Sequence, residues 1–211
     1  MLVRNWMNKR PITIQSDSTL ADAMALMHNH KIRRLPVMEK DELVGIVTKS
    51  DILRTTPPGS MSTYEMHLLS SSTFLYQIMS TDVITVDADA LLEEAALILR
   101  KNKIGGMPVL SNNKIVGMIS GTDILDTFLH VMGISKKGLR LNVTINNQPG
   151  ELAKLTEIVK KYGNISSIVN FAGKNGKASL VLRLEGSTEN KDELQEILLQ
   201  EGFQVQTLIE A

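Results

Sequence analysis

The chain contains itself twice. Residues 7–53 align with residues 79–125 at a constant shift of 72, with no gap. Ile12-Thr13 returns as Ile84-Thr85, Lys31-Ile32 as Lys103-Ile104, and Pro36-Val37 as Pro108-Val109. Val44-Gly45 returns as Val116-Gly117, and Asp51-Ile52-Leu53 as Asp123-Ile124-Leu125. A register held through strands, helices and turns marks two copies of one unit, and two copies imply a pseudo-symmetric pair with a cleft between them.

Each copy reads as β-α-β-β-α. A short strand (Pro11–Ile14; Val83–Val86) precedes an amphipathic helix in which Leu20, Ala23, Met24 and Met27, or Leu92, Ala95, Ala96 and Leu99, share a face. The next strand holds a proline (Leu35–Met38; Met107–Leu110), which predicts an edge position or a break in the ladder. The third strand, Leu43–Val47 or Ile115–Ile119, runs to a hydroxyl, Thr48 or Ser120, with Asp51 or Asp123 three residues on, and a second helix starts there. Between the copies Thr56-Pro57-Pro58-Gly59-Ser60 breaks the chain, and Tyr64–Gln77 reads as a helix with a stripe of Met66, Leu69 and Phe74. Asp126–Met132 finishes a helix, and Gly133 and Lys136-Lys137-Gly138 mark a boundary. The expected division is 1–54 for the first repeat, 55–78 for a linker helix, 79–134 for the second repeat and 139–211 for a separate domain.

That last domain has its own pattern. Leu139, Leu141, Val143 and Ile145 alternate as a strand, and Leu152, Leu155, Ile158 and Val159 follow at helical spacing. Ile165–Phe171 and Ala178–Leu184 flank Gly173-Lys174-Asn175-Gly176, a hairpin signal. A helix with Leu194, Ile197 and Leu198 ends at Gly202, and Phe203, Val205, Thr207 and Ile209 alternate as a final strand. The order is βαββαβ, a ferredoxin-like plan, so the whole chain falls in the α/β (α+β) class.

The chemistry sits at the ends of the repeats. Gly45-Ile46-Val47-Thr48-Lys49-Ser50-Asp51 is echoed by Gly117-Met118-Ile119-Ser120-Gly121-Thr122-Asp123. A hydroxyl and the N–H groups at a helix start suit a phosphate, and a carboxylate one turn in can accept both vicinal hydroxyls of a ribose. The same spacing also fits a plain capping box that serves the helix alone. The copies differ where charge matters: Arg33-Arg34 and Lys49 in the first stand against Gly105-Gly106 and Gly121 in the second. Guanidinium groups suit phosphate, so the first site is expected to take the more charged ligand and the second to be weaker or to take a neutral adenosyl compound. A solvated arginine pair on a surface turn is the competing reading.

These segments resemble a tandem pair of CBS domains, a Bateman module. The resemblance rests on the doubled strand–helix–strand unit, the Leu-Pro-Val and Met-Pro-Val strands and the Gly-x-x-[Thr/Ser]-x-x-Asp endings, and covers residues 1 to about 130. It implies a regulatory module whose clefts bind adenosine-containing ligands such as ATP, ADP, AMP or S-adenosylmethionine, with no cofactor required. It places Thr48 and Ser120 at phosphate and Asp51 and Asp123 at ribose. Arg33 and Arg34 add charge, and backbone near Thr13, Ile14, Pro36 and Val37, and near Thr85, Val86, Pro108 and Val109, lines the base. Residues 139–211, with Asn147-Gln148-Pro149-Gly150-Glu151-Leu152 at the first strand–helix junction, resemble an ACT domain. That resemblance implies pairing across a homodimer and an amino-acid contact set of Asn147, Gly150, Glu151 and Leu152, with Asn164 and Ile165 opposite. Asn147 stands where amino-acid-binding members often carry aspartate, and an amide brings no charge for an ammonium group. The compact CBS–CBS–ACT arrangement, with its Tyr64-Glu65-Met66-His67-Leu68-Leu69 linker, resembles proteins of acetoin and butanediol catabolism.

Composition narrows the alternatives. Lys plus Arg and Asp plus Glu both number 23, so no global charge draws the chain to nucleic acid or an anionic membrane. There is no cysteine, hence no disulfide and no thiol nucleophile, which suits a reducing cytoplasm. RNA binding on a ferredoxin-like sheet needs central-strand aromatics, and those two strands hold only Phe171. His28 and His30, two apart on a helix, point to different faces and cannot chelate a metal together. No phosphate loop, GxSxG or HExxH motif appears. The expectation is a non-catalytic ligand-sensing regulator. Its rival is a structural adaptor that works through protein partners without a metabolite.

Overall fold

The computed structural model describes residues 1–55, 63–134, 136–173, 175–186 and 188–210. It divides into two compact units, Met1–Ile124 and Leu125–Ala211.

In the first unit the two repeats build two three-stranded sheets. The first has β1 (Ile14–Gln15), β2 (Arg34–Glu39) and β3 (Glu42–Thr48), with α1 (Leu20–Asn29) and α2 (Lys49–Thr55). The second has β4 (Val86–Asp87), β5 (Gly106–Ser111) and β6 (Lys114–Ser120), with α4 (Leu92–Asn102) and the start of α5 (Gly121–Val131). Between them α3 (Thr63–Ser72) ends before Phe74, and a single 3-10 turn, Leu75–Gln77, replaces the rest of the expected helix. Met66 of the expected stripe has a side chain outside the described residues.

The proline strands are central, not edges. β2 lies between β1 and β3, and β5 between β4 and β6. The missing N–H is tolerated because β1 pairs only with Val37 and Met38, one residue beyond Pro36. The strand expected at Pro11–Ile14 shrinks accordingly to Ile14–Gln15.

The lead-in segments are exchanged between repeats. Residues 1–9 precede the first repeat in sequence, yet Val3 is fully buried in the core of the second, with Leu92, Ala95, Met107 and Ile119. The Val3 and Arg4 N–H groups donate to the Ala90 and Ala88 carbonyls at 3.0 and 2.9 Å. Reciprocally, Leu75 is buried in the first repeat's core with Leu20, Leu35 and Ile52. Asn8 bridges to Met118 and Ser80 to Ile46, each through a reciprocal backbone pair of 2.9–3.0 Å. Gly45 and Gly117 lie against these lead-ins. A Cβ on Gly117 would lie 2.5 Å from the Met7 sulfur and 2.8 Å from the Asn8 carbonyl oxygen. For one on Gly45 the three nearest atoms all belong to the Met79 side chain.

The second unit is an antiparallel sheet in the order β10-β7-β9-β8, the ferredoxin-like arrangement. Its strands are β7 (Gly138–Asn146), β8 (Asn164–Ala172), β9 (Lys177–Glu185) and β10 (Gln204–Glu210). Alternate residues of β7 and β9 pack on α6 (Glu151–Val159) and α7 (Lys191–Gln200), where Leu155, Val159, Leu194 and Leu198 close the core. Asn175 and Gly176 take φ of +58° and +70°, the conformation an Asn-Gly hairpin turn demands. The last strand departs from simple alternation: a register shift between Val205 and Thr207 turns Leu208 inward and leaves Ile209 exposed.

Candidate functional site

Because the lead-ins are exchanged, each cleft of the first unit is composite. The larger, about 650 Å³, joins Thr48, Lys49 and Asp51 of the first repeat to Ser80, Asp82, Ile84 and Lys103–Gly106 of the second. The smaller, about 220 Å³, joins Ser120 and Asp123 of the second to Asn8, Arg10, Ile12 and Lys31–Arg34 of the first. At the 72-residue shift Ser120, Asp123, Asn8, Arg10, Ile12 and Lys31–Arg34 of the smaller correspond to Thr48, Asp51, Ser80, Asp82, Ile84 and Lys103–Gly106 of the larger. Pockets for small organic ligands run from about 300 to 1,000 Å³, so the larger cleft falls inside that range and the smaller below it.

Both Thr/Ser-x-x-Asp segments form capping boxes. The Thr48 N–H and hydroxyl donate to Asp51 Oδ2 at 2.9 and 2.7 Å, and the Asp51 N–H donates to Thr48 Oγ1 at 3.3 Å. Ser120 and Asp123 repeat the pattern at 2.7, 2.6 and 3.3 Å. In both boxes a single carboxylate oxygen, Oδ2, does the capping. At Asp51 the capping contacts do not engage Oδ1. In Asp51 that second oxygen lies 3.5 Å from the exposed Arg54 of the same helix. With α2 only seven residues long, most of the positive potential at this cleft comes from side chains: Arg33, Arg34, Lys49, Arg54 and Lys103.

The arginine pair is not confined to one site. Arg33 and Arg34 line both clefts. By position they are the smaller cleft's counterparts of Gly105 and Gly106 in the larger. The half-buried Arg34 guanidinium lies over those two glycines, its nitrogens 2.5 and 2.6 Å from where their Cβ atoms would stand. Burial, and next the charge of Arg33, pull the Arg34 pKa below its ordinary value, while Asp123 pushes it back up. The expected split into a basic first site and a glycine-lined second one thus does not map onto the two cavities.

The other sequence-derived residues are placed as follows. Thr48, Asp51, Ser120 and Asp123 line the clefts. Thr13, Ile14, Pro36 and Val37, and Thr85, Val86, Pro108 and Val109, line neither. Val37 and Val109 are fully buried in the repeat cores, and Ile14 and Val86 nearly so. Ile12 and Ile84 reach the clefts instead, two residues before β1 and β4. Sequence reasoning missed Arg10, Ser80, Asp82 and Lys103. The doubled Lys31-Ile32 and Lys103-Ile104 pair was the available signal for the last of them. In the second unit Asn147 and Gly150 lie in an exposed loop, with Gly150 at φ +93° beginning α6, and Glu151 is half-buried beside the exposed Leu152. The Asn147 N–H donates to the Gly176 carbonyl at one end of β9 at 2.8 Å, whereas Asn164 pairs with Glu185 at the other end. Eight strand steps of about 3.3 Å separate those ends, so one chain does not bring Asn147 and Asn164-Ile165 together.

A doubled βαββα unit with exchanged lead-ins and paired Gly-x-x-[Thr/Ser]-x-x-Asp clefts defines a tandem CBS module. The CBS domain family matches residues 3–56 and 75–130, more than half of the sequence, and the chain belongs to it. Residues 137–207 match a TTHA0829-like ACT domain, so the chain is a CBS pair followed by an ACT domain. It is similar to a candidate acetoin utilization protein (AcuB) from Vibrio cholerae, at 31% identity and a TM-score of 0.54, over 64% of this chain and 95% of that one. It is also similar to the CBS-domain pair of protein MJ0100, solved in complex with 5′-methylthioadenosine and S-adenosyl-L-methionine, at 29% identity and a TM-score of 0.52. That match spans 64% of this chain and 98% of MJ0100's. A CBS domain-containing protein of Dictyostelium discoideum is 32% identical over 142 residues, 63% of this chain and 94% of the relative.

Proposed function

We propose that this chain is a non-catalytic regulator that senses an adenine nucleotide or adenosyl compound through its CBS pair and acts in acetoin or butanediol catabolism. The observation that carries the reading is the larger cleft. It has ligand-sized volume, five cationic side chains and a half-buried carboxylate, Asp51, at the position suited to ribose hydroxyls. The adenosyl ligands of the similar MJ0100 pair support the ligand class, and the likeness to the Vibrio cholerae protein supports the metabolic setting. The same reading makes the protein a cytoplasmic homodimer paired through its ACT sheet, in which β8 is an edge strand. Ligand binding then regulates by favouring one arrangement of the dimer over another.

The test is a thermal melt and calorimetric titration with ATP, ADP, AMP and S-adenosylmethionine. A ligand that binds the folded state raises the melting temperature. Asp51→Ala is expected to weaken nucleotide binding by on the order of 10- to 100-fold, as removal of hydrogen bonds to a charged acceptor does. Asp123→Ala is expected to leave binding at the larger cleft unchanged. No melting shift with any of the four ligands refutes the sensing reading and favours a structural adaptor.

A further inference from the structure

A further cavity, about 490 Å³, lies between α1 and α2 of the first repeat. Met24, Met27 and His28 on α1, and Lys49, Ile52 and Leu53 on α2, each stand at i, i+3, i+4, so one face of each helix turns toward it. Its volume falls in the range that holds small organic ligands. The floor is apolar: Met27 and Ile52 are buried and Ile32 is half-buried. Met24 and Leu53 line it while 43% and 49% exposed, so apolar surface here is left open to solvent. The rest of the lining is basic, from His28, Lys31, Arg33 and Lys49, with no carboxylate. Among the described residues Lys31, Arg33 and Lys49 have no ion-pair partner. The Lys49 N–H donates to the Arg33 carbonyl at 2.9 Å, which holds those two residues side by side. Both, with Leu53, also line the larger cleft. Their counterparts are Gly105 and Gly121, so this pair of cations belongs to the first repeat alone.

We propose that this cavity binds an amphipathic anion, an apolar body with one carboxylate or phosphate head, and that the head competes with nucleotide phosphates for Arg33 and Lys49. The apolar body lies on Met27, Ile32 and Ile52, and the flexible side chain of Met24 adapts to its shape. Two cations fixed beside each other repel, and an anion seated between them replaces that repulsion with attraction. The same two cations serve the larger cleft, so the amphipathic anion antagonises nucleotide binding. Linkage makes the antagonism mutual: nucleotide expels the anion by the same factor. The cavity stands on its own geometry, and the antagonism rests on the nucleotide reading of the larger cleft.

The experiment is a calorimetric titration of the full chain with octanoate, octyl phosphate and octanol, with and without saturating ATP. The two anions distinguish a carboxylate head from a phosphate one, and octanol carries the same apolar body without charge. At least one anion is expected to bind, with octanol weaker on the order of tenfold, as loss of charge-assisted hydrogen bonds implies. ATP is expected to weaken the anion on the order of tenfold, within the usual range of coupling. Met24→Trp, at an exposed position, fills the cavity and is expected to abolish anion binding while leaving ATP affinity unchanged. Arg33→Gln is expected to weaken both ligands. If ATP binds and neither anion does, or if both bind without affecting each other, the proposal is refuted and the nucleotide reading stands. If octanol binds as tightly as octanoate and octyl phosphate, the charged head is refuted. If neither anion binds and Leu53→Glu lowers the oligomeric state in sedimentation, a second copy of the chain covers the cavity and the proposal falls. If an anion binds, Met24→Trp removes it and ATP does not bind, the cavity stands and the nucleotide reading falls.

Discussion

The two repeats share a sequence register, a capping box and a fold, yet their clefts differ about threefold in volume. Backbone does not make the difference, since the strand pairings match residue for residue at the 72-residue shift. Side chains differ at a few positions: Arg33 and Arg34, which line both clefts, have Gly105 and Gly106 of the larger cleft as their counterparts, and Lys49 of the larger has Gly121 as its own. A duplicated scaffold preserves the positions of ligand groups and leaves the filling of each cavity open to single substitutions.

The exchanged lead-ins give the sharpest way to break the pseudo-symmetry. Leu75→Ala empties a fully buried site in the first repeat and is expected to cost about 2–5 kcal/mol in urea unfolding. A loss under about 1 kcal/mol would mean that the first core does not depend on this segment. The glycines come next. Gly117→Ala drives a methyl against the Asn8 carbonyl as well as the Met7 side chain, and overpacking of that kind costs about 1–3 kcal/mol. Gly45→Ala meets the Met79 side chain first, which has rotamers to spare, so it is expected to cost less. Equal losses at the two sites would show that the repeats tolerate crowding alike.

Smaller effects test the shared features. Thr48→Ala and Ser120→Ala each remove a cap worth about 1 kcal/mol, and the pair should agree within error if capping is the symmetric part of the design. The smallest effect is acid-dependent. Thr19 holds Asp22 in a further capping box, and the hydroxyl and backbone hydrogen bonds keep its carboxyl below the ordinary value. Such a group stabilises the fold above the ordinary carboxylate range, and the contribution disappears as pH falls through its lowered pKa. NMR titration should find Asp22 below a carboxylate of an unfolded peptide. Asp22→Asn should flatten that part of the stability profile.

The capping boxes and the ferredoxin-like order were legible in the sequence because each follows from local spacing. The composite nature of the clefts was not. A shift of 72 shows that Asn8 and Ser80 are equivalent, but it is silent on whether each pairs with its own repeat or with the other. Only packing against Gly45 and Gly117 decides that. Ile14 and Val37 pack in the first repeat's core, and Ile12 and Ile84 line the clefts. The bulge at Val205–Thr207 escaped notice because alternation alone cannot reveal where one residue is skipped.

The crossing of the two lead-ins also sets an order of events on the ribosome. As the chain emerges, the first repeat lacks Leu75, and residues 1–9 have no partner until the second repeat exists. The first core therefore needs the chain only as far as about residue 79, whereas the second needs both residues 3–7 and the second repeat. Such distant contacts slow folding and prolong the exposure of apolar surface. Truncation should follow the same logic: removing residues 1–6 strips Val3 from the second repeat and leaves the first one's packing intact.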